Sequence, residues 1–598
     1  MGGTPTDQGD PDGDPADATG QEWGSDFVVE LIDELGFEFV SFNPGASFRG
    51  LEESIVNYND NAPRVITTPN EGLSVAIAHG YAKATGEPGL CILHNVVGTL
   101  NAHMAIFNAY IDRVPILMLS GTGPMRKSQR RPWIDWIHTA HLQGNLVRDT
   151  VKWDSQPVHI DGVADSLLRA NEIAQTAPKG PTYVTIDHEI QEQPLEEPVP
   201  VPDPGDYPQP TRMAPEAEAI DAAADALVGA EMPVFLVDLA GDSREAVEAL
   251  VDLTERLGAP VLDIRWRRFN FPNTHPMSLS ESDVYEHADV LVALDVWDRE
   301  WITGDWSTSV REAIGDDFTY VEIGTHELGA SGLFPNTYAV HPTDVPILAD
   351  TALAVPALRD AVTERLDRDE GARSRAEERY GALADRHRDQ REQWRAEAEA
   401  HWEDDPISPA RLAGELWNVI DGSEWVLVND MSAPWTRRLW EVEEFDQYIG
   451  GYSGGAGLGY GIGAAIGAAL AVEGSGRIPI NIQTDGALMQ YLSGLWILGR
   501  YEIPLFTVMH NNRALYNSTN HRQELARRRG RDDGFDRALV GTGLDEPAPD
   551  YAAIADALGV RGYGPVEDPD ELPAVLEEAW EAVQGGSPVL VDVVSGHR

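Results

Sequence analysis

The chain has 598 residues, with 44 Lys+Arg against 99 Asp+Glu and a formal net charge of −55. So anionic a body is repelled by phosphate, which excludes nucleic acid and anionic membrane surfaces as partners. A content of 42% hydrophobic and 8% aromatic residues excludes a disordered acidic polymer, and the near-absence of lysine (Lys83, Lys127, Lys152 and Lys179) fits adaptation to high salt, where self-repulsion is screened.

Residues 1–22 are Gly-, Asp- and Pro-rich without an apolar core, and predict a disordered acidic tail rather than a secretory signal. The single Cys91 excludes an intramolecular disulfide and a Cys-rich metal site, and fits a reducing cytoplasm. Within 23–192, strand-like runs at 38–42, 89–93, 114–120 and 182–186 alternate with helical stretches at 71–85 and 100–111. Residues 193–212 form a Pro-rich acidic linker. A second alternation fills 213–360, with strands at 233–237, 260–264, 290–294 and 318–323 and a helix at 243–257. No G-x-G-x-x-G follows any of these strands, so no dinucleotide site is predicted there. Residues 361–405 read as a charged, solvated helical connector, and 406–598 return to the strand pattern at 426–429, 479–483, 504–510 and 589–594. The predicted fold class is α/β, with three doubly wound parallel-sheet domains. One uncharged run of 19 residues, 454–472, has the length of a membrane span. Its seven glycines predict instead a Gly-rich loop entering a buried helix.

The sharpest chemical signal lies between 479 and 514. A strand ends in Thr484-Asp485-Gly486, an amphipathic helix is predicted over 487–500, and the next strand ends in Asn511-Asn512. Asp485 and Asn512 therefore sit at the carboxyl ends of two parallel strands, where open α/β sheets bind ligands. A carboxylate, an amide oxygen and a backbone carbonyl suit a hard cation such as Mg²⁺, which completes its shell with water and phosphate oxygens. Gly486 permits close backbone approach, and the helix start at Ala487 adds a positive dipole end for an anion.

This arrangement, with Asp485 and Asn512 27 residues apart, resembles the signature of thiamine-diphosphate enzymes, Thr484 replacing the usual first glycine. The resemblance implies Mg²⁺ held by Asp485, Asn512 and the Ala514 carbonyl, and a diphosphate contact at Ser432. It identifies Glu71, in PNEGLSVAIAHG, as the glutamate that bonds the cofactor's aminopyrimidine, a task for a partly desolvated carboxyl. In the Gly-rich stretch 451–470, Gly457 and Leu458 fall on the cofactor, Leu458 as the wedge that bends it. The three domains become, by the same resemblance, pyrimidine-binding, middle and diphosphate-binding. Within the superfamily, LHNVVGTLNA is similar to benzoylformate decarboxylase and implies acid–base roles for His94 and for His275 in FPNTHP. Ala46 stands where that enzyme has an active-site serine, with Ser47 one residue later.

The implied reaction is non-oxidative decarboxylation of a 2-oxo acid. The alternatives are an acetolactate-synthase-like carboligase, which would carry FAD that no feature here secures, and a catalytically silent cofactor-binding subunit. The resemblance further implies a homodimer or homotetramer with active sites between subunits. Arg126, Lys127, Arg130 and Arg131 read as ion-pair partners of an acidic neighbouring subunit, or as attractors of the anionic substrate. Trp136, His138 and His141 are candidate pocket or interface residues, and Arg527–Arg529 a candidate loop over the site.

Overall fold

Short apolar runs bounded by turn residues become strands buried on both faces, the pattern that parallel sheets demand. The computed structural model describes residues 20–297, 314–315, 317–325, 328, 342–431, 434–450 and 454–597. The tail at 1–19 and Ser432 lie outside the described residues.

The N-terminal sheet comprises β1 (Phe39–Phe42), β2 (Arg64–Thr67), β3 (Gly89–Leu93), β4 (Ile116–Thr122), β5 (Trp153–Ser155) and β6 (Pro181–Asp187), in the order β2-β1-β3-β4-β6-β5. The middle sheet contains β7 (Pro233–Val237), β8 (Val261–Asp263), β9 (Val290–Leu294), β10 (Thr319–Gly324) and β11 (Val345–Leu348), in the order β11-β10-β9-β7-β8. The C-terminal sheet contains β12 (Trp425–Asp430), β13 (Ile478–Thr484), β14 (Phe506–Asn511), β15 (Arg561–Val566) and β16 (Val589–Val594), in the order β12-β13-β14-β16-β15. Every pairing within the three sheets is parallel. The predicted three-sheet α/β architecture is the observed one.

Six helices position the site: α1 (Glu71–Thr85), α2 (Val97–Ile111), α3 (Arg244–Leu257), α4 (Glu370–Ala400), α5 (Tyr460–Ala471) and α6 (Asp485–Leu488). Helix α1 starts at Asn70, whose side chain accepts the Gly72 N–H, and ends at Gly86 in the left-handed region (φ 77°). Its small residues face the equally small residues of α5. A Cβ on Gly80 would lie 1.9 Å from the Ala464 carbonyl oxygen, and one on Gly467 1.9 Å from that of Ile77. Glycine costs each helix some intrinsic stability, and the close approach it permits joins the first and third domains. Phe39, Ile66, Leu73 and Ile77 accordingly share one core with Val426, Ile462, Ile466 and Leu498. The uncharged run at 454–472 thus becomes loop plus buried helix, and among the described residues no helix is long and apolar enough to cross a membrane.

Two expectations need correction. The connector at 361–405 is not solvated all round: Thr351–Arg368 and α4 are separate helices, and α4 buries Ala372, Ala376, Leu383, His387, Arg391, Trp394 and Ala398 along one stripe. The helix predicted over 487–500 is broken into α6 and a second helix, Ser493–Tyr501. The break brings the Tyr491 side chain between Gly72 and Gly459: a Cβ on Gly72 would lie 2.2 Å from its hydroxyl, and one on Gly459 2.5 Å from its ring.

Candidate active site

Strands β13 and β14 are neighbours in register, Thr484 beside His510, so the residues that follow them meet at one edge of the sheet. Asp485 is 1% exposed. Its Oδ2 accepts the Ala514 N–H at 3.1 Å, and its Oδ1 is buried without a hydrogen-bond donor. Asn512 Oδ1 accepts the same N–H at 3.1 Å. The loop can curl this tightly because Arg513 adopts φ 53°, a conformation costly for a residue with a Cβ. Asn511 secures the turn by accepting the Arg513 N–H at 3.2 Å and donating to Asp592 at 2.8 Å. Burial pushes the Asp485 carboxyl up to about 6, and the neighbouring Asp592 adds repulsion. A buried carboxylate oxygen with no donor, beside an amide oxygen and a backbone carbonyl, fits a hard divalent cation. Sequence reasoning placed Asp485, Asn512 and Ala514 together, and the structure brings them together. Gly486 is constrained by packing, since a Cβ there would lie 2.5 Å from Leu515, and Ala487 is buried in α6 rather than opening it.

The other half of the site gathers on α1 and α2. Glu71, 8% exposed, opens α1. Its Oε1 accepts from Asn43 Nδ2 at 3.1 Å and its Oε2 from Asn101 Nδ2 at 2.6 Å. Gly98 lies between this carboxylate and His94: a Cβ there would fall 3.0 Å from Glu71 Oε1 and 2.8 Å from the His94 Cβ. The His94 ring covers Gly45, and its Nδ1 bonds the Asn95 carbonyl at 3.1 Å, leaving Nε2 for other work. The turn after His94 holds Val96 at φ 47°, a strained state for a β-branched residue that costs about 1–3 kcal/mol. Such strain concentrates where surrounding contacts fix a functional geometry.

His138 meets His94 edge to face at 5.3 Å, with its Nδ1 buried and unpartnered. Burial, and then the neighbouring His94, push the His138 imidazolium below its usual range. Ser47 does not replace the missing serine, because it is buried and its Oγ accepts the Asn95 N–H at 3.2 Å; of the two residues Ala46 is the exposed one. His275 is occupied in its own loop: Nε2 lies 3.1 Å from Glu255, Nδ1 accepts the Met277 N–H at 3.1 Å, and the ring packs on Phe271. No contact among the described residues joins it to Glu71, His94 or Asp485.

Helix α2 links the two halves. Asn101 holds Glu71; Met104 touches Gly457, where a Cβ would be 2.7 Å away; Asn108 Oδ1 accepts the Gly457 N–H at 3.1 Å; and Asp112, just past the helix end, accepts the Gly454 N–H at 2.7 Å. These residues, spaced by three or four, form one face of the helix. Burial opposes the ionised form of Asp112, but Lys83, His79 and Arg267 outweigh it and hold the carboxyl well below the usual range. Leu458, one residue beyond this anchored glycine, is 39% exposed and projects into open space. Asn43, Asn101, Asn108 and Asp112 were missed at the level of sequence, although Asn101 lies inside the LHNVVGTLNA string. The basic clusters pair within the chain, Arg126 with Glu189, Arg131 with Asp135, and Arg527 with Asp533.

Comparison with known proteins identifies both halves. "Thiamine pyrophosphate enzyme, N-terminal TPP binding domain" matches residues 22–151, and "Thiamine pyrophosphate enzyme, C-terminal TPP binding domain" matches 431–593. The chain is 25% identical to a probable chloroplastic acetolactate synthase of Oryza sativa subsp. japonica, over 97% of this chain and 84% of that one. Two solved structures share the fold. Benzoylformate decarboxylase from Polynucleobacter necessarius superposes with a TM-score of 0.74 at 18% identity, covering 96% of this chain and 99% of that one. A thiamine diphosphate-dependent 4-hydroxybenzoylformate decarboxylase of Rhodococcus jostii RHA1 gives 0.73 at 19%, with the same coverage. With Glu71 opening α1 in the first matched domain and Asp485 and Asn512 closing two strands in the second, the chain belongs to the thiamine-pyrophosphate-dependent enzymes.

Proposed function

We propose that the protein is a Mg²⁺-dependent, non-oxidative decarboxylase of a small 2-oxo acid. The observation that carries this reading is the imidazole of His94 beside the Glu71 carboxylate, with only Gly98 between them. Asp485, Asn512 and the Ala514 carbonyl would hold Mg²⁺, and with it the cofactor's diphosphate. Bound thiamine diphosphate supplies an electron sink for the bond that breaks beside the carbonyl. Glu71, fixed by Asn43 and Asn101, presents its carboxylate to the pyrimidine. Leu458, set by the Asn108–Gly457 bond, would pack against the bound cofactor. His94 moves protons at Nε2, and His138, rather than His275, is the second imidazole of the pair.

The competing reading is an acetolactate-synthase-like carboligase, favoured by the rice relative. No feature at the described carboxyl ends of the middle strands secures a flavin: Asp238 after β7, Asp295 after β9 and Asp350 after β11 pair with Arg267, Arg113 and Arg212. The enzyme is proposed to act as a homodimer or homotetramer in the cytoplasm, with sites completed between subunits, and with its acidic coat serving a salty interior. The deciding experiment supplies a panel of 2-oxo acids with thiamine diphosphate and Mg²⁺ in concentrated KCl, and follows CO₂, aldehyde and acyloin together. Aldehyde and CO₂ in equal amounts, lost in Glu71→Gln, support decarboxylation. Acetolactate from pyruvate by a flavin-absorbing protein would establish the carboligase, and no turnover of any acid would establish a silent subunit.

A further inference from the structure

His94 and His138 lie on different segments, and Asn95 makes hydrogen bonds to both. The residue is 2% exposed. Its carbonyl lies 3.1 Å from His94 Nδ1. A carbonyl can only accept, so the proton of the neutral His94 ring sits on Nδ1 and the free lone pair on Nε2. Its side-chain Nδ2 donates to the His138 carbonyl at 2.5 Å. Its backbone N–H donates to Ser47 Oγ at 3.2 Å, beside the exposed Ala46.

The surroundings make that side chain the inner tether of His138. On the same segment Trp133, Trp136 and Leu142 are exposed, while Asp135 and Gln143, three residues before and five after, are fully buried. Asp135 accepts from Arg131, and Gln143 donates to Ser120 and Tyr183 at 2.8 Å each. Between these two anchors, the Asn95 bond is the one hydrogen bond among the described residues that reaches His138 from outside its own segment. Asn95 is itself held firmly. Its carbonyl also accepts the Val97 N–H at 2.5 Å across the strained Val96, and the Thr99 N–H closes the turn on the His94 carbonyl at 3.1 Å. Yet Asn95 Oδ1 is buried without a donor, and His138 Nδ1 is buried without a partner. An unsatisfied amide oxygen in the interior is a cost that packing does not explain.

We propose that Asn95 is a positioning residue that joins His94 and His138 into one acid–base unit. Its carbonyl selects Nε2 as the His94 nitrogen that exchanges protons, and its side chain holds His138 edge to face with His94 at 5.3 Å. The inference rests on the reading of those two imidazoles as the acid–base pair of the proposed function. Two charged groups face His138: His94 from the strained turn, and Asp135 from its own segment, where Arg131 already pairs with it. A carboxylate at position 95 would add a third, and would favour the imidazolium form of both rings.

Asn95→Asp keeps the backbone bonds and the side-chain size, and replaces the donating amide by that carboxylate. In substrate-free holoenzyme, ¹³C-histidine NMR should show the His138 titration midpoint rising by about one pH unit or more, its signal identified by loss in His138→Gln. In turnover, the acid limb of kcat/KM should move up with it. Asn95→Ala should lower kcat by about ten- to a hundredfold, with KM and cofactor half-saturation within about twofold. In the His138→Gln background the same substitution should cost less than about twofold, because nothing is left to tether. The NMR arm stands by itself should Asn95→Ala fail to fold. A His138 midpoint unmoved in Asn95→Asp, or kcat losses that multiply in the double variant, would overturn the proposal. A shifted midpoint in a protein that turns over no 2-oxo acid would support the tether and count against the proposed function alone.

Discussion

Gly80→Ala and Gly381→Ala make the same chemical change, in the middle of a helix, with opposite expected outcomes. At Gly381, in α4, a Cβ meets nothing within 4 Å. Alanine there restricts the unfolded chain and favours the helix, a gain of about 0.5–1 kcal/mol. At Gly80 the new Cβ would sit 1.9 Å from the Ala464 carbonyl oxygen and 2.6 Å from its Cα, both backbone atoms that no rotamer change can move. Restoring an ordinary contact of 3.4 Å means separating α1 from α5 by up to 1.5 Å. A gap of that order forfeits half or more of the dispersion energy along the contact, so a net loss of about 2–3 kcal/mol is expected after the helix-propensity gain. Urea unfolding of each variant against the parent, compared at equal m-value, reads the difference. The same separation should raise the concentration of thiamine diphosphate needed for half-saturation, because Glu71 and the Gly457–Leu458 segment ride on the two helices. Gly467→Ala should reproduce both effects from the opposite helix, and its cost should not add fully to that of Gly80→Ala. Equal shifts for Gly80→Ala and Gly381→Ala, or a Gly80→Ala variant as stable as the parent, would refute the close-packing argument.

The remaining predictions concern the site itself. Because burial lifts the Asp485 carboxyl to about 6, Mg²⁺-dependent cofactor loading should weaken as pH falls through 6, with about half a proton released per chain on loading at that pH and about one well below it. In metal-free protein the ionised form is disfavoured by about 3 kcal/mol, a cost present above pH 6 and absent below about 4. Asp485→Asn should therefore gain stability over the parent at pH 8 but not at pH 4, and lose all thermal stabilisation by Mg²⁺ and cofactor. His94→Ala should lower kcat by about 10²- to 10⁴-fold. Asn101→Ala should cost less than Glu71→Gln, since it loosens the carboxylate without removing it; equal losses in steady-state kinetics would contradict that order. Cofactor affinity of the apo-protein should rise with KCl until the field of the −55 charge is screened, and a fall from the lowest salt upward, with the fold intact, would count against it.

The strands that apolar runs exposed are the inner ones, such as β3, β7, β9 and β16, buried at every residue. Those that escaped, β2, β5, β11 and β15, are all sheet edges. An edge strand has one paired side and a part-exposed face, so Arg64–Thr67 or Arg561–Val566 need carry no apolar run. The meeting of Asp485 and Asn512 at one sheet edge and the place of Glu71 at a helix start were legible because strand ends and helix starts leave a signature in local spacing. The four groups that hold Glu71 and the Gly454–Gly457 loop were not. Asn43 and Asn101 lie 28 and 30 residues from Glu71, and Asn108 and Asp112 more than 340 from the glycines they hold. Their roles arise from tertiary contact, and an asparagine on a helix carries no local mark of what it will face.

Helix α2 sets the spacing of the site in units of its own turn. Asn101 grips Glu71 and Asn108 grips Gly457, two turns apart on one rigid rod. One residue inserted between them would rotate everything downstream by about 100°, so the span cannot be adjusted by small steps. Room for a larger or smaller ligand must therefore come from exchanging side chains such as the exposed Leu458 beside the anchored glycine, or from the loops outside the rod. A lineage remodelling this enzyme for a new acid would keep the length of α2 fixed while those side chains and loops drift.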